Sequence, residues 1–234
     1  ASYLPSVGGF LMERELKYLE GALTDPRRPL VAVLGGAKVA DKIELVRNMI
    51  KKVDTLLVGG GIACTFLKAR GFSMGKSLVE EDKLSLAQEL MEEAEKQGVP
   101  LVLPVDLVAA RELKEDQATV TVAPGELPED FMALDIGPRT VAAFGKHLAG
   151  AGTVIWNGPL GAFEVPPFQE GTAGVARLLS EADAISIIGG GDLVAAVTQA
   201  GVADRMTHVS TGGGATLEYL EGKELPGVKI LAEK

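Results

Sequence analysis

The chain has 234 residues, 47% of them hydrophobic, enough for one large domain or two small ones and for a substantial core. Its net charge of −9 argues against nucleic acid or an anionic membrane as partner, since both need a basic footprint. The lone cysteine, Cys64, excludes an intrachain disulfide, the opening Ala1-Ser2-Tyr3-Leu4-Pro5 has no leader pattern, and no run of 18 apolar residues exists, so a cytoplasmic protein is expected.

In chain order, Leu11, Met12, Leu16, Leu19 and Leu23 predict a helix over 10–23, followed by a strand at 30–34. Val39, Ile43, Val46, Ile50 and Val53 mark an amphipathic helix. A strand at 56–58, a short helix at 62–69 and a long charged helix at 80–97 come next, the last stopping at Gly98 with Pro100 beyond. Another strand is read at 101–103. Residues 114–131 differ, with alternation at Thr119-Val120-Thr121-Val122 and Pro punctuation, and read as a small β excursion. Helices at 140–148 and 168–179 enclose a strand at 153–156, and a strand at 184–188 precedes short helices at 193–200 and 215–220. Alternating strands and helices predict an α/β fold: a doubly wound, three-layer sandwich on a mostly parallel, Rossmann-like sheet.

Five apolar runs end at glycines or at Asn-Gly: Val33-Leu34-Gly35-Gly36-Ala37-Lys38, Leu57-Val58-Gly59-Gly60-Gly61, Ile155-Trp156-Asn157-Gly158-Pro159, Ile187-Ile188-Gly189-Gly190-Gly191-Asp192 and Val209-Ser210-Thr211-Gly212-Gly213-Gly214. Buried parallel strands read as such runs, and glycines at their ends let backbone approach a ligand closely. The pattern points to a phosphate-bearing ligand across the carboxyl ends of the strands. Lys38 and Lys42, four apart, are expected on one face of a helix start, where an anion would offset their conflict with the dipole. Asp192 suits a helix cap or Mg²⁺, and the 189–191 and 212–214 triplets offer two helix N-termini for a phosphoryl group in transit.

Other signals are negative or structural. No Walker loop, G-x-G-x-x-G or protein-kinase signature is present. One Cys and two His make a zinc site implausible. Trp156 and Phe66 read as core, Cys64 as a small helix residue, His147 as solvent-facing, and His208 as a loop brace.

Together these segments resemble the phosphoglycerate kinase family, and only its C-terminal, nucleotide-binding half. Phe10-Leu11-Met12-Glu13-Arg14-Glu15-Leu16 looks like the segment where the interdomain helix enters that half. Segments 35–42, 59–66, Leu134-Asp135-Ile136-Gly137-Pro138, 156–164, 189–192 and 208–214 then follow in family order. The resemblance implies a single nucleotide-binding domain over 1–234, with 1–24 an interdomain-type helix region and 25–234 the α/β core. It implies phosphoryl transfer between 1,3-bisphosphoglycerate and ADP in glycolysis, with ADP or ATP as substrate and Mg²⁺ as cofactor. Lys38 would stabilise the migrating phosphoryl group, assisted by the amides of Gly190, Gly191, Gly213 and Gly214. Gly35, Gly36, Ala37 and Lys42 would face the nucleotide phosphates, flanked by Asn157 and Pro159. Asp192 would hold Mg²⁺ and Glu164 would accept from the ribose. Gly59, Gly60, Leu78, Ala133, Leu134 and Ala162 would line the adenine slot.

Three positions depart from the family pattern. Leu193 stands where a Ser or Thr hydroxyl commonly meets a phosphate, a loss of about 1.5–3 kcal/mol in nucleotide binding. Ala133 replaces a common Gly and Ala162 a common Val. The family's N-terminal domain, with its basic patch for phosphoglycerate, has no counterpart here, so that domain is the implied partner. The isolated chain is expected to bind nucleotide with little or no turnover. The alternative is a non-catalytic binding module whose nucleotide site is weakened by Leu193.

Overall fold

A computed structural model describes residues 6–231, so the sequence readings on residues 1–5 lie outside the described residues. The helices are α1 (Phe10–Thr24), α2 (Ile43–Ile50), α3 (Gly60–Ala69), α4 (Leu84–Lys96), α5 (Pro138–Ala149), α6 (Glu170–Glu181), α7 (Gly191–Gln199), α8 (Gly214–Leu220) and α9 (Pro226–Lys229). The strands are β1 (Leu30–Leu34), β2 (Thr55–Val58), β3 (Leu101–Val102), β4 (Leu107–Ala110), β5 (Val120–Val122), β6 (Met132–Ile136), β7 (Thr153–Asn157), β8 (Ile185–Gly189) and β9 (His208–Val209).

The main sheet has six parallel strands in the order β3-β2-β1-β7-β8-β9. Because its strands are covered on both faces, each side chain along β1 finds apolar neighbours. Leu30, Ala32 and Leu34 pack with Leu45, Val46 and Met49 of α2 and Ala87 and Leu90 of α4. Val31 and Val33 point the other way, to Phe144 of α5, Val175 of α6 and Val197 of α7. This is the three-layer, doubly wound fold that the sequence predicts.

The β excursion is larger than the 114–131 expected. It is a three-stranded antiparallel sheet, β5-β4-β6, reaching from Leu107 to Ile136. Asp106 locks it to the next helix: its carboxylate accepts the N–H groups of Arg139 (3.0 Å) and Thr140 (2.7 Å) in the first turn of α5. Helix 80–97 begins later than predicted, with a 3₁₀ turn at Glu81–Lys83 before α4, and α6 likewise starts after a 3₁₀ turn at Pro166–Phe168. His147, expected at the surface, is half-buried on α5. No described helix is long and apolar enough to cross a membrane. Helix α1 buries Leu19 and Ala22 but leaves Phe10 92% and Leu11 61% exposed.

Candidate functional site

The strand order reverses direction between β1 and β7, the point at which open α/β sheets leave a crevice for ligands. Three loops interlock there through backbone hydrogen bonds. Gly35 N–H donates to Asn157 O (2.9 Å), Gly36 N–H to Pro159 O (2.8 Å) and Gly60 N–H to Leu160 O (3.0 Å). The approach is so close that a Cβ on Gly35 would lie 2.1 Å from Pro159 O, and one on Gly61 2.5 Å from Ala37 O. A Cβ on Gly59 would likewise strike Leu160 at 2.6 Å. Gly35 and Gly59 therefore pack the loops against one another and line neither of the crevice's cavities. The Trp156 indole N–H braces the same turn by donating to Gly158 O (2.9 Å).

The crevice holds two adjoining cavities that share Gly36, Ala37, Pro159 and Asp192. One, of about 470 Å³, is a largely apolar slot lined by Gly60, Leu78, Ala133, Leu134 and Ala162, with Glu164 also among its lining residues. The other, of about 280 Å³, brings together Lys38, Lys42, Asn157, Gly190, Gly191 and Asp192. Asp41, which sequence reasoning passed over, also lines it, so two cationic side chains face two carboxylates.

Lys42 is fixed in place. Its ammonium donates to Gly35 O (2.7 Å), Asn157 O (3.2 Å) and Asn157 Oδ1. The buried Asn157 amide donates in turn to Gly189 O (3.0 Å), linking the ends of β7 and β8. Burial pushes the Lys42 ammonium down to about 8, against the opposing pull of Asp192 and Asp41.

The two lysines do not share a helix face as expected. Lys38 precedes a 3₁₀ turn at Ala40–Lys42, and α2 begins only at Ile43. The carboxylate of Glu80 sits at this helix start, accepting the N–H groups of Val39 and of Ala40 (3.2 Å). An anion in the cavity thus faces ammonium groups, while those amides are already taken by Glu80. Both lysines still line one cavity, brought there by the turn.

At the other helix starts the outcome is divided. Gly190 has φ +99°, a left-handed conformation that lets β8 turn abruptly into α7. Asp192, in the first turn of α7, lines the crevice, where its charge acts on Lys42. Leu193 is fully buried with Val31, Val33 and Trp156, and it also lines the basic cavity, where it offers no hydroxyl. Gly213 and Gly214, expected to converge on the same spot, line neither cavity. Their loop is held by Glu15 of α1, which accepts from His208 Nε2 (2.9 Å), Ser210 Oγ (2.8 Å) and the Thr211 N–H (2.8 Å) and hydroxyl (2.9 Å). His208 also stacks on Tyr18, with ring centroids 4.7 Å apart, in the bracing arrangement its position predicts.

The family model described as phosphoglycerate kinase matches residues 1–223. The chain belongs to the phosphoglycerate kinase family. It is 56% identical over 234 residues to the phosphoglycerate kinase of Moorella thermoacetica, covering 100% of this chain and 60% of that protein. With the Clostridium novyi phosphoglycerate kinase it shares 54% identity over 226 residues, 97% of this chain and 57% of the relative. Among solved structures, Coxiella burnetii phosphoglycerate kinase superposes with a TM-score of 0.94 at 47% identity, over 97% of this chain and 59% of that one. The Pyrococcus horikoshii enzyme gives 0.84 at 32% identity, over 95% and 56%. The chain thus spans less than two thirds of the length of these phosphoglycerate kinases.

Mg²⁺ commonly binds through one or two carboxylates plus substrate phosphates, without a cage of protein ligands. Asp192 and Asp41 in the basic cavity fit that donor set, and no group of three or more His, Cys, Asp or Glu suited to a metal occurs among the described residues. Sequence reasoning missed Glu80, Asp41, Ser77 and Asp135 as site-shaping residues. Asp41 and Asp135 lie within the quoted segments 35–42 and 134–138, and Glu80 lies two residues beyond Leu78.

Proposed function

We propose that this chain is the nucleotide-binding part of a phosphoglycerate kinase, taking Mg·ADP or Mg·ATP in the crevice between β1 and β7. The observation that carries the reading is the adjoining pair of cavities: a largely apolar slot of about 470 Å³ shares four lining residues with a cavity that has two lysines and two carboxylates. Adenine would lie among Gly60, Leu78, Ala133, Leu134 and Ala162, with Glu164 accepting from the ribose hydroxyls. Lys42 would exchange its carbonyl partners for the α/β-phosphates. Lys38, exposed at the cavity, would face the phosphoryl group as it moves, with Gly190 and Gly191 amides beside it. Asp192 would hold Mg²⁺, which neutralises phosphate charge when bound.

In the family's reaction a β-phosphate oxygen of ADP forms a bond to the phosphorus of an acyl phosphate as the acyl P–O bond breaks. Positioning and charge stabilisation supply most of that catalysis. No second basic cluster suited to the acyl phosphate occurs in the sequence, so little or no turnover is expected from this chain alone. The rest of the relatives' length is the partner that would bring the donor, and the exposed Phe10 and Leu11 on α1 offer an apolar face for it. The competing reading, a non-catalytic binding module whose nucleotide site is weakened by Leu193, rests on the hydroxyl that this position lacks beside the basic cavity.

Calorimetry with Mg·ADP tests the binding claim, with saturable one-to-one heat expected. Absence of heat at millimolar nucleotide would favour the non-catalytic module. A coupled assay tests the second claim, and turnover within about tenfold of a complete family enzyme would overturn it.

A further inference from the structure

We infer that Glu80 is a positioning residue that couples occupancy of the apolar slot to the placement of Lys38 and Lys42; the inference rests on the nucleotide reading above. Residues 76–80 form a strap with fixed ends. At one end it is stitched to the small sheet: Lys76 N–H donates to Phe131 O (2.8 Å), and Ser77 Oγ accepts the N–H of Ala133 (2.8 Å). At the other end Glu80 N–H donates to Thr65 Oγ1 (3.1 Å), on the helix whose first turn lines the slot. Between these anchors Leu78 stands 51% exposed in the slot wall, where a base would cover it.

The strap ends in the half-buried Glu80 carboxylate, which binds the amides of Val39 and Ala40. These open the turn between Lys38 and Lys42. The contact spans some 40 residues of sequence, and Val39 is itself fully buried, so the turn is pinned at its start from both sides. The carboxylates whose charge acts on Lys42 are Asp192 and Asp41, not Glu80. Glu80 therefore works through the backbone of the turn. A base that orders the strap orders the turn, and with it the two ammonium groups that a polyphosphate meets.

Glu80→Ala removes the acceptor, Glu80→Asp keeps the charge but shortens the reach, and Glu80→Gln keeps both reach and acceptor. Titration calorimetry with Mg·ADP and, separately, with adenosine reads the effect. Loss of the cap should weaken Mg·ADP about tenfold in E80A and E80D and leave adenosine within about twofold, while E80Q stays within about threefold of wild type for both. Should E80A fail to fold, E80D decides. Wild-type affinity for Mg·ADP in E80D, an equal loss for adenosine, or E80Q as weak as E80D overturns the inference. A wild-type chain that binds neither ligand overturns the nucleotide reading instead, and the inference with it.

Discussion

Replacing Lys42 with methionine should abolish a proton uptake that accompanies nucleotide binding. Burial holds the Lys42 ammonium at about 8, although Asp192 and Asp41 pull it upward. At pH 8.5 roughly a quarter of such groups carry the proton, and at pH 7 about nine tenths. Nucleotide phosphates arriving beside the ammonium stabilise its charged form and move it back toward an ordinary lysine. Binding should then take up about 0.7 proton at pH 8.5 and about 0.1 at pH 7. Titration of Mg·ADP in buffers of different ionisation enthalpy gives the number directly, as the slope of observed heat against buffer heat. Lys42→Met, measured in parallel, removes any contribution from the nucleotide's own phosphates. The affinity itself should fall above pH 8, by up to about tenfold per unit. A wild-type slope at pH 8.5 equal to that of Lys42→Met would refute the assignment of Lys42 to the phosphates.

Three further outcomes follow from the geometry. Burial pushes the Asp135 carboxyl up to about 8, against hydrogen bonds from the Gly171 and Ile136 N–H groups, with the charge of Glu170 adding to the rise. A raised carboxyl favours folding below its unfolded pKa and loses that contribution as pH climbs through 8. Asp135→Asn should therefore gain on wild type between pH 5 and 8, by up to about 1.4 kcal/mol per unit in urea melts, and a flat difference counts against it. Glu15 moves the other way: burial raises it, but the hydrogen bonds from Thr211, His208 and Ser210 outweigh burial and hold it low. Its stabilisation is present above the ordinary carboxylate range and is lost as pH falls through the lowered value. Glu15→Ala leaves buried His208 and Ser210 short of a partner and should cost about 2–4 kcal/mol at neutral pH, less in acid; a cost under about 1 kcal/mol would show the network to be incidental. Finally, Gly61→Ala forces a methyl against Ala37 O and should cost about 1–3 kcal/mol, whereas Gly191→Ala, with open space around it, should stay within about 0.5 kcal/mol of wild type in the same melts.

What could be read in advance was what short-range pattern encodes. The runs at β1, β2, β7 and β8 are continuous and apolar because those strands are covered on both faces, and their glycine ends mark the carboxyl edge. The small sheet was half hidden because β4 is a four-residue segment with no polar alternation and β6 carries the buried Asp135. Spacing placed Lys38 and Lys42 on one helical face; the Glu80 carboxylate, far away in sequence, takes the amides there, and the chain enters through a 3₁₀ turn. The brace between Glu15 and His208 spans 193 positions and is likewise invisible locally. Leu193 packs among core residues and also lines the basic cavity, a double placement that no local pattern encodes.

The most direct measurement is a crystal structure of this chain with Mg·ADP. The base should lie in the slot against Leu78, Ala133 and Leu134, the diphosphate beside Lys42, with Lys42 released from Asn157, and the metal on Asp192. Nucleotide bound elsewhere, or a diphosphate placed away from Lys42 and Asp192, would contradict the account.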